Sequence, residues 1–166
     1  MTEIKPAYKH SKIGQLCFNI TTRATKLLSK QRWLYYLLHF TWGIIMIIIA
    51  GLVAGILAFV NLFTKNMQFK KYHGVLEIRL GQNWGGCDLG LVYLRDTTSS
   101  ESVSEHELGH SFQVWLGIFF PFVVAIPSAI RWWIRRLQPN KQHKPYDSFW
   151  AEDAASQCGK WFVTVK

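Results

Sequence analysis

A long run without charged residues constrains the fold of this chain more than any other feature. Between Trp33 and Thr64 there is no Asp, Glu, Lys or Arg. Its central part, roughly residues 41–63, is long enough to cross the hydrocarbon core of a bilayer once as a helix. Aromatic side chains crowd its start, where an interfacial aromatic belt belongs: Trp33, Tyr35, Tyr36 and Trp42. The sequence therefore predicts one transmembrane helix in residues 33–64.

Residues 1–32 form a cationic segment ahead of this run. Between residues 11 and 30, apolar side chains recur at helical spacing, and Lys and Arg fall largely on the opposite side. The apolar positions are Ile13, Leu16, Cys17, Ile20, Ala24, Leu27 and Leu28. This pattern predicts an amphipathic helix that lies on a membrane surface with anionic headgroups.

Basic residues flank the charge-free run on both sides. Seven precede it, and Lys65, Lys70 and Lys71 follow it closely. The positive-inside rule favours a cytoplasmic N-terminus and places the remainder of the chain on the opposite side of the membrane. The bias is small, because both flanks are basic.

The overall composition limits the remaining possibilities. A chain of 166 residues has room for one modest domain beside the apolar helix. Its net charge is +9, but the basic residues sit mostly beside apolar runs and no nucleic-acid-binding motif accompanies them, so we expect no nucleic-acid partner. Cys17, Cys87 and Cys158 are far apart, which favours three free thiols over a Cys87–Cys158 disulfide.

An H-E-x-x-H motif at residues 106–110 carries the chemistry of the sequence. On a helix, His106 and His110 lie on one face and can bind a single metal ion, and Glu107 is then placed to act as general base on a metal-bound water. The motif favours a zinc site; the alternative is an exposed helix start that carries two histidines by coincidence. Two S-x-x-E capping boxes predict that the helix begins just before His106: Ser102 with Glu105, and Ser104 with Glu107.

A β-hairpin is expected just before this helix. Residues 74–80 alternate apolar and polar as a half-buried strand does, residues 81–86 are turn material, and residues 89–94 form a second strand. In zinc peptidases with this motif, a strand edge above the helix commonly binds the substrate backbone by strand addition. The alternative is a strand pair that only shields the helix.

A second apolar run follows the motif. Residues 114–130 carry no charge, but 17 residues are marginal for a full membrane crossing, and Pro121 and Pro127 interrupt them. Arg131, Arg135 and Arg136 follow, with two Trp between them. Residues 114–134 are therefore expected to form a short kinked transmembrane helix, a re-entrant hairpin or the buried part of a membrane-docked domain.

A catalytic zinc site needs a third protein ligand. The downstream candidates are His143, Asp147, Glu152 and Asp153. Residues 146–155 resemble a helix start with Asp147 as N-cap and Glu152 inside, which matches the arrangement of thermolysin-like enzymes. A full crossing by residues 114–130 would put Glu152 on the far side of the membrane from His106, so a re-entrant or docked run is favoured.

Four further side chains are candidates for binding a substrate carboxylate or a developing oxyanion. They are Tyr93, Arg131, His143 and Tyr146.

The stretch from Trp84 to Gly159 carries a more specific resemblance. The matching stretches are Asn83-Trp84-Gly85-Gly86, Leu89-Gly90, residues 106–113, Leu116-Gly117, residues 126–133 and residues 146–152. They resemble a group of small, poorly characterised bacterial membrane-associated proteins with a zincin-like HExGH…PSAIRxW…YDSxWxE signature. The chain departs from that group at Cys87-Asp88 and at Asp153-Ala154-Ala155.

The resemblance implies a set of roles for this chain. His106, His110 and Glu152 would bind Zn²⁺, Glu107 would be the catalytic base, and Asp147 would be a carboxylate that holds a ligand histidine. A bacterial cytoplasmic membrane would be the location.

The expected fold is an α+β membrane protein. It has a cationic surface segment (1–32), a transmembrane helix (33–64) and a small zincin-like domain (65–166), in which a β-hairpin packs on the H-E-x-x-H helix and a C-terminal helix follows. The expected function is a membrane-bound zinc peptidase that acts on a peptide or on the near-membrane segment of another protein. Two alternatives are a non-catalytic protein that uses the metal for stability or sensing, and a lipid-binding protein with incidental histidines.

Overall fold

The computed structural model describes residues 3–139 and 143–165. It is a mixed helical and sheet fold with one four-stranded sheet in these residues. The helices are α1 (Lys12–Lys30), α2 (Arg32–Phe40), α3 (Ile44–Thr64), α4 (Glu101–Ser111), α5 (Ile126–Leu137) and α6 (Trp150–Val165). The strands are β1 (Gln68–Tyr72), β2 (Val75–Arg79), β3 (Gly86–Asp88) and β4 (Val92–Arg95).

The charge-free run forms two helices rather than one. α2 ends at Phe40, and α3 begins at Ile44 after a short break. α3 is the one unbroken helix in residues 3–139 and 143–165 that is long and apolar enough to cross a membrane, with a mean hydropathy of 2.7. Its Ala50, Ala54 and Leu57 pack against the apolar face of the sheet, whereas most of its other side chains are exposed.

α1 covers the range expected for the amphipathic helix, but the face that packs is a mixed one that carries threonines beside Phe18 and Leu28. Phe18, Thr21, Thr25 and Leu28 are buried, and the helix lies along α6. The hydroxyls of Thr21 and Thr25 donate to carbonyls of their own helix, and the Thr21 hydroxyl also accepts from the Trp115 indole N–H at 3.1 Å. Leu16, like most of the apolar side chains named above, stays exposed.

The sheet has the order β1-β2-β4-β3. β1 and β2 form an antiparallel hairpin through His73 and Gly74, which both have positive φ (48° and 93°) as a tight two-residue turn requires. The sequence did not predict β1. The predicted hairpin between residues 74–80 and 89–94 is wrong, because β2 and β4 run parallel and the intervening chain adds β3 at the far edge of β4.

α4 and α6 cross at very short range. A Cβ at Gly109 would overlap the backbone carbonyl of Ala155, and a Cβ at Gly159 would overlap that of Glu105. The two glycines therefore let the two helix backbones approach closely, and this crossing carries the residues described below.

α4 begins earlier than expected. Its first residue is Glu101, and Ser100 is the N-cap without a side-chain capping bond. Both predicted capping boxes are wrong. The Ser104 hydroxyl lies inside the helix, where it donates to the buried Glu77 carboxylate at 3.0 Å and accepts from Arg95.

The second apolar run bends sharply instead of continuing α4. A 3₁₀ segment, Phe112–Phe119, contains Gly117 at φ 52°, and a π-helical turn, Pro121–Ala125, leads into α5. The helical stretches before and after Phe120 differ in direction by 115°. This bend rules out a straight crossing by the run. None of the residues of α5 is buried.

The main hydrophobic core joins residues from both sides of α3. Phe18 and Tyr35 from the helices before α3 pack with Leu108, Phe112 and Phe162 from the helices after the sheet. Among the described residues, helices α1 and α2 therefore share one hydrophobic core with elements that follow α3.

Candidate metal centre

Three ligand atoms converge where α4 crosses α6. The distances are 3.2 Å between His106 Nε2 and His110 Nε2, 3.0 Å between His106 Nε2 and Glu152 Oε2, and 3.4 Å between His110 Nε2 and Glu152 Oε2. His106 and His110 share one face of α4, and Glu152 comes from the first turn of α6. Two imidazoles and a carboxylate that converge in this way can hold a metal ion.

The other ring nitrogen of each histidine is fixed by a hydrogen bond. His106 Nδ1 lies 2.8 Å from Ser156 Oγ, and His110 Nδ1 donates to Gln113 Oε1 at 2.9 Å. Gln113 is held in turn by a bond from its Nε2 to the Ala151 carbonyl (2.8 Å). Because Nδ1 of His110 donates to Gln113, Nε2 is the ring atom directed at the site, and once it releases its proton it is free to bind a metal ion.

Glu152 is fully buried and held on both carboxylate oxygens. Its Oε2 faces the histidines, and its Oε1 accepts a hydrogen bond from Ser128 of α5. Burial alone would raise the pKa of Glu152, but the charge of His110 and hydrogen bonds from both histidines outweigh it and hold the pKa well below its usual range. Burial would likewise lower the pKa of His110, but the carboxylate of Glu152 raises it to about 10. The site is therefore built around a buried anion that attracts a cation.

Glu107 lies between this cluster and the edge strand. A Cβ at Gly86 would overlap the Glu107 side chain, so the glycine makes room for it. The backbone N–H of Asp88 donates to the Glu107 carboxylate. Burial raises the pKa of Glu107, and the nearby histidines reduce that shift. A raised pKa makes the Glu107 carboxylate a stronger proton acceptor than an ordinary glutamate, which suits it to proton transfer beside a metal site.

These side chains line one groove of about 670 Å³. Residues 84–88 and side chains of α4 line the groove. The second apolar run contributes Phe120, Val124, Ala129 and Trp132 to the lining. Tyr146, Asp147 and Lys160 also line it. The groove is large enough for several residues of an extended peptide.

Asp96 holds the rim of the groove together. Its Oδ2 accepts from the backbone N–H groups of Trp84 (3.1 Å) and Gly85 (2.7 Å). Its Oδ1 accepts from those of Thr98 (2.8 Å) and Ser99 (2.5 Å). One carboxylate thus ties the entry to β3 to the loop that starts α4.

Besides the three ligands and Glu107, two further residues that the sequence placed near the site lie beside it, Tyr146 and Asp147. Tyr146 lines the groove and donates to the Ser128 carbonyl at 3.4 Å. Asp147 accepts from Ser156 Oγ at 3.5 Å, so it reaches His106 through a serine rather than directly. Asp147 is also not the N-cap of α6, because it lies in a 3₁₀ turn and α6 begins at Trp150.

Other candidates lie elsewhere. His143 is bonded to the Gln138 carbonyl (2.9 Å), Tyr93 donates to Glu77, and Arg131 donates to the Tyr146 carbonyl (3.1 Å). Asp153 points away from the cluster. It accepts from the backbone N–H groups of Ala7 (3.0 Å) and Tyr8 (3.3 Å) and pairs with His10 at 2.8 Å.

The three cysteines are free. Cys87 is exposed, Cys17 is intermediate and Cys158 is buried.

Sequence reasoning missed Gln113, Ser128, Ser156 and Asp96. Gln113 follows His110 by three residues, a spacing that brings side chains together on a helical turn and that could have drawn notice. The others depend on how separate elements pack, and no local pattern marks them.

Comparison with known proteins gives no further assignment. The chain matches no protein-family model, and no curated protein or solved structure was found to be similar to it.

Proposed function

We propose that this chain is a membrane-bound zinc peptidase with a zincin-like site. The observation that carries the proposal is the convergence of His106 Nε2, His110 Nε2 and Glu152 Oε2 within 4.8 Å of one another. The Glu107 carboxylate lies in the same groove. Two histidines and one glutamate form the donor set of a zinc site that keeps a fourth position open for water, and Glu107 is a separate carboxylate beside it.

Each residue has a defined role in this proposal. His106, His110 and Glu152 would hold Zn²⁺, which would polarise the scissile carbonyl and lower the pKa of its water. Glu107 accepts the proton of the attacking water at its carboxylate and passes it to the leaving amine nitrogen. In the described part of the chain β3 is the edge strand beside β4, and its outer edge offers backbone groups to an extended substrate.

Membrane binding is the second part of the proposal. α3 carries a large exposed apolar surface, and the outer side of α5 exposes Ile130, Trp133 and Ile134 beside Arg135 and Arg136. Apolar side chains flanked by tryptophan and arginine suit the interface of an anionic bilayer. We propose the bacterial cytoplasmic membrane as the location, with the N-terminus in the cytoplasm.

The test begins with metal analysis of the full chain purified in detergent. We expect about one zinc per chain. We also expect Glu107→Gln to keep that zinc and to lose peptide cleavage by about 10²- to 10⁴-fold, because the proton acceptor is gone. Glu101→Gln is the matched control, since Glu101 is exposed in the first turn of the same helix. A Glu107→Gln protein that cleaves at the wild-type rate would refute the mechanism.

A structural metal site is the second candidate function. Its supporting observation is that the ligands come from two different helices, so a bound ion would join α4 to α6. This role predicts that metal removal destabilises the protein while Glu107→Gln changes neither stability nor any other property. A purely lipid-binding role predicts no bound metal and unchanged lipid binding after both histidines are replaced.

A further inference from the structure

The segments before and after α3 contact each other directly. Arg32 donates to the His73 carbonyl at 2.8 Å, and Tyr36 donates to the Gly74 carbonyl at 3.2 Å. At the other end of the chain, Ala7 donates to the Asp153 carboxylate at 3.0 Å. Residues on both sides of the apolar helix therefore lie side by side, so they occupy the same side of any bilayer.

A single crossing by α3 does not fit these contacts. Because α3 has 21 residues, its ends are about 31 Å apart. If it crossed the bilayer, residues 65–72 would have to return through the hydrocarbon core to reach His73. That stretch contains Lys65, Lys70 and Lys71, and β1 is an edge strand with unpaired backbone groups on its outer side. Each lysine at the bilayer centre costs about 2.5–3.5 kcal/mol, and an open strand edge is not found in lipid.

The middle of α3 is also attached to the sheet. Ala50, which is 1% exposed, packs against Ile78 and Val92. A bilayer that surrounded α3 would have to surround the sheet as well. The sheet carries Glu77 and Arg95 on its other side, where they are buried in an ionic and hydrogen-bonded network. Immersion of such a sheet is not a stable arrangement.

The face of α3 away from the sheet is apolar along its whole length. Ile45, Leu52 and Phe59 follow one another at seven-residue spacing and are 46%, 64% and 63% exposed. Seven residues are close to two helical turns, so the three side chains share one stripe. The stripe spans most of the helix, and Lys65 lies just past its end, where an interfacial ammonium belongs.

We propose that α3 lies in the plane of the membrane and that its outer stripe is buried in the interface of an anionic bilayer. The protein is then bound to one leaflet and does not cross the membrane. The N-terminal segment and the metal centre are on the same side, contrary to the expectation from flanking charges. This inference rests on the membrane part of the proposed function and is independent of zinc and of catalysis.

Depth measurement along the stripe tests the proposal directly. Nitroxide labels are attached at Ile45→Cys, Leu52→Cys or Phe59→Cys in the full chain with Cys17 and Cys87 replaced by Ser, reconstituted in vesicles of phosphatidylcholine and phosphatidylglycerol. Oxygen and nickel-chelate collision rates then report the depth of each label. An in-plane helix gives three similar, shallow depths. A crossing helix puts Leu52 deepest, by about 10 Å relative to Ile45, and this result would overturn the proposal.

A second measurement leaves α3 unchanged. Lys9→Cys and Lys71→Cys, two exposed positions before and after α3, are treated with a membrane-impermeant maleimide in right-side-out and inverted vesicles. We expect both to react in the same vesicle type, and reaction from opposite sides overturns the proposal. A chain that does not bind the vesicles overturns both this proposal and the membrane part of the proposed function. Zinc content and cleavage would still test the peptidase part separately.

Discussion

The orientation of His110 depends on one amide side chain. Gln113 accepts the Nδ1–H of His110 and is itself held by the Ala151 carbonyl. We expect Gln113→Ala to weaken zinc binding by about 10- to 100-fold, because the ring loses the bond that fixes its tautomer and direction. Competition with a fluorescent chelator measures the change. Gln113→Glu, which keeps an acceptor, is the matched comparison and is expected to retain most of the affinity; equal losses in both variants would contradict this role.

The stability that Asp96 contributes depends on pH. Burial acts to raise its pKa, but hydrogen bonds from Ser99, Gly85 and Thr98 outweigh it and lower the pKa below the usual value. A lowered folded-state pKa stabilises the protein above pH about 4, the pKa of an unfolded aspartate, and this contribution is lost as pH falls through the folded-state pKa.

We therefore expect Asp96→Asn to cost about 1–3 kcal/mol at pH 7, since it removes charge-assisted bonds to the backbone. Urea unfolding at pH 7 and at pH 3 measures the free energy of unfolding. The deficit of the variant should shrink at the lower pH, and a deficit that stays constant between the two values would rule out the charged carboxylate as its cause.

At the scale of residues, the sequence predicted that His106, His110 and Glu152 lie together, but it did not predict the side chains that support them. Three residues and their spacing identify the H-E-x-x-H motif, and the resemblance pointed to Glu152 among the four candidates for the third ligand. Ser156 and Ser128 are different, because their roles come from the relative placement of α4, α5 and α6. A single sequence contains no local signal for such placement.

At the scale of elements, the crossing of α4 and α6 determines whether the ligands meet. Gly109 and Gly159 allow the backbones to touch where a Cβ would overlap a carbonyl. We expect Gly109→Ala to destabilise the protein by about 1–3 kcal/mol and to weaken zinc binding, because the helices must separate. Thermal unfolding and zinc titration measure the two effects. Gly51→Ala in α3, where a Cβ meets no atom within 4 Å, is the control and should change neither.

The predicted helices and strands were correct mainly where the spacing of apolar residues and the length of an apolar run identify the element. α1 and α3 follow from helical spacing and apolar length, and β2 from its alternation. The predicted hairpin is wrong because an alternating pattern identifies a strand but not the strand it pairs with. In the structure β2 pairs with β4 in parallel. The predicted start of α4 is wrong because Ser104, which matches the capping pattern, lies inside the helix. Its hydroxyl donates to the buried Glu77 carboxylate instead of capping the helix.

At the scale of the whole molecule, bound zinc would join two helices of the main core. Linkage at free zinc about 1,000 times the dissociation constant contributes about 4 kcal/mol. For a chain of this length that corresponds to a fall of roughly 8–16 °C in Tm when a chelator removes the metal. Differential scanning fluorimetry measures it. His106→Ala is the matched control, and the chelator should not change its Tm. A wild-type Tm that the chelator also leaves unchanged would contradict a metal at this position.

The contact between Ala7 and Asp153 joins residues 146 positions apart in the chain. A ribosome that adds about 5–20 residues per second needs about 7 to 30 s to make the intervening segment. During that interval α1, α2 and α3 exist without α6, and Phe18 and Tyr35 lack the partners that bury them in the finished protein. The nascent chain must shelter these side chains before its own core is complete, and a nearby bilayer is an apolar surface already present at that moment.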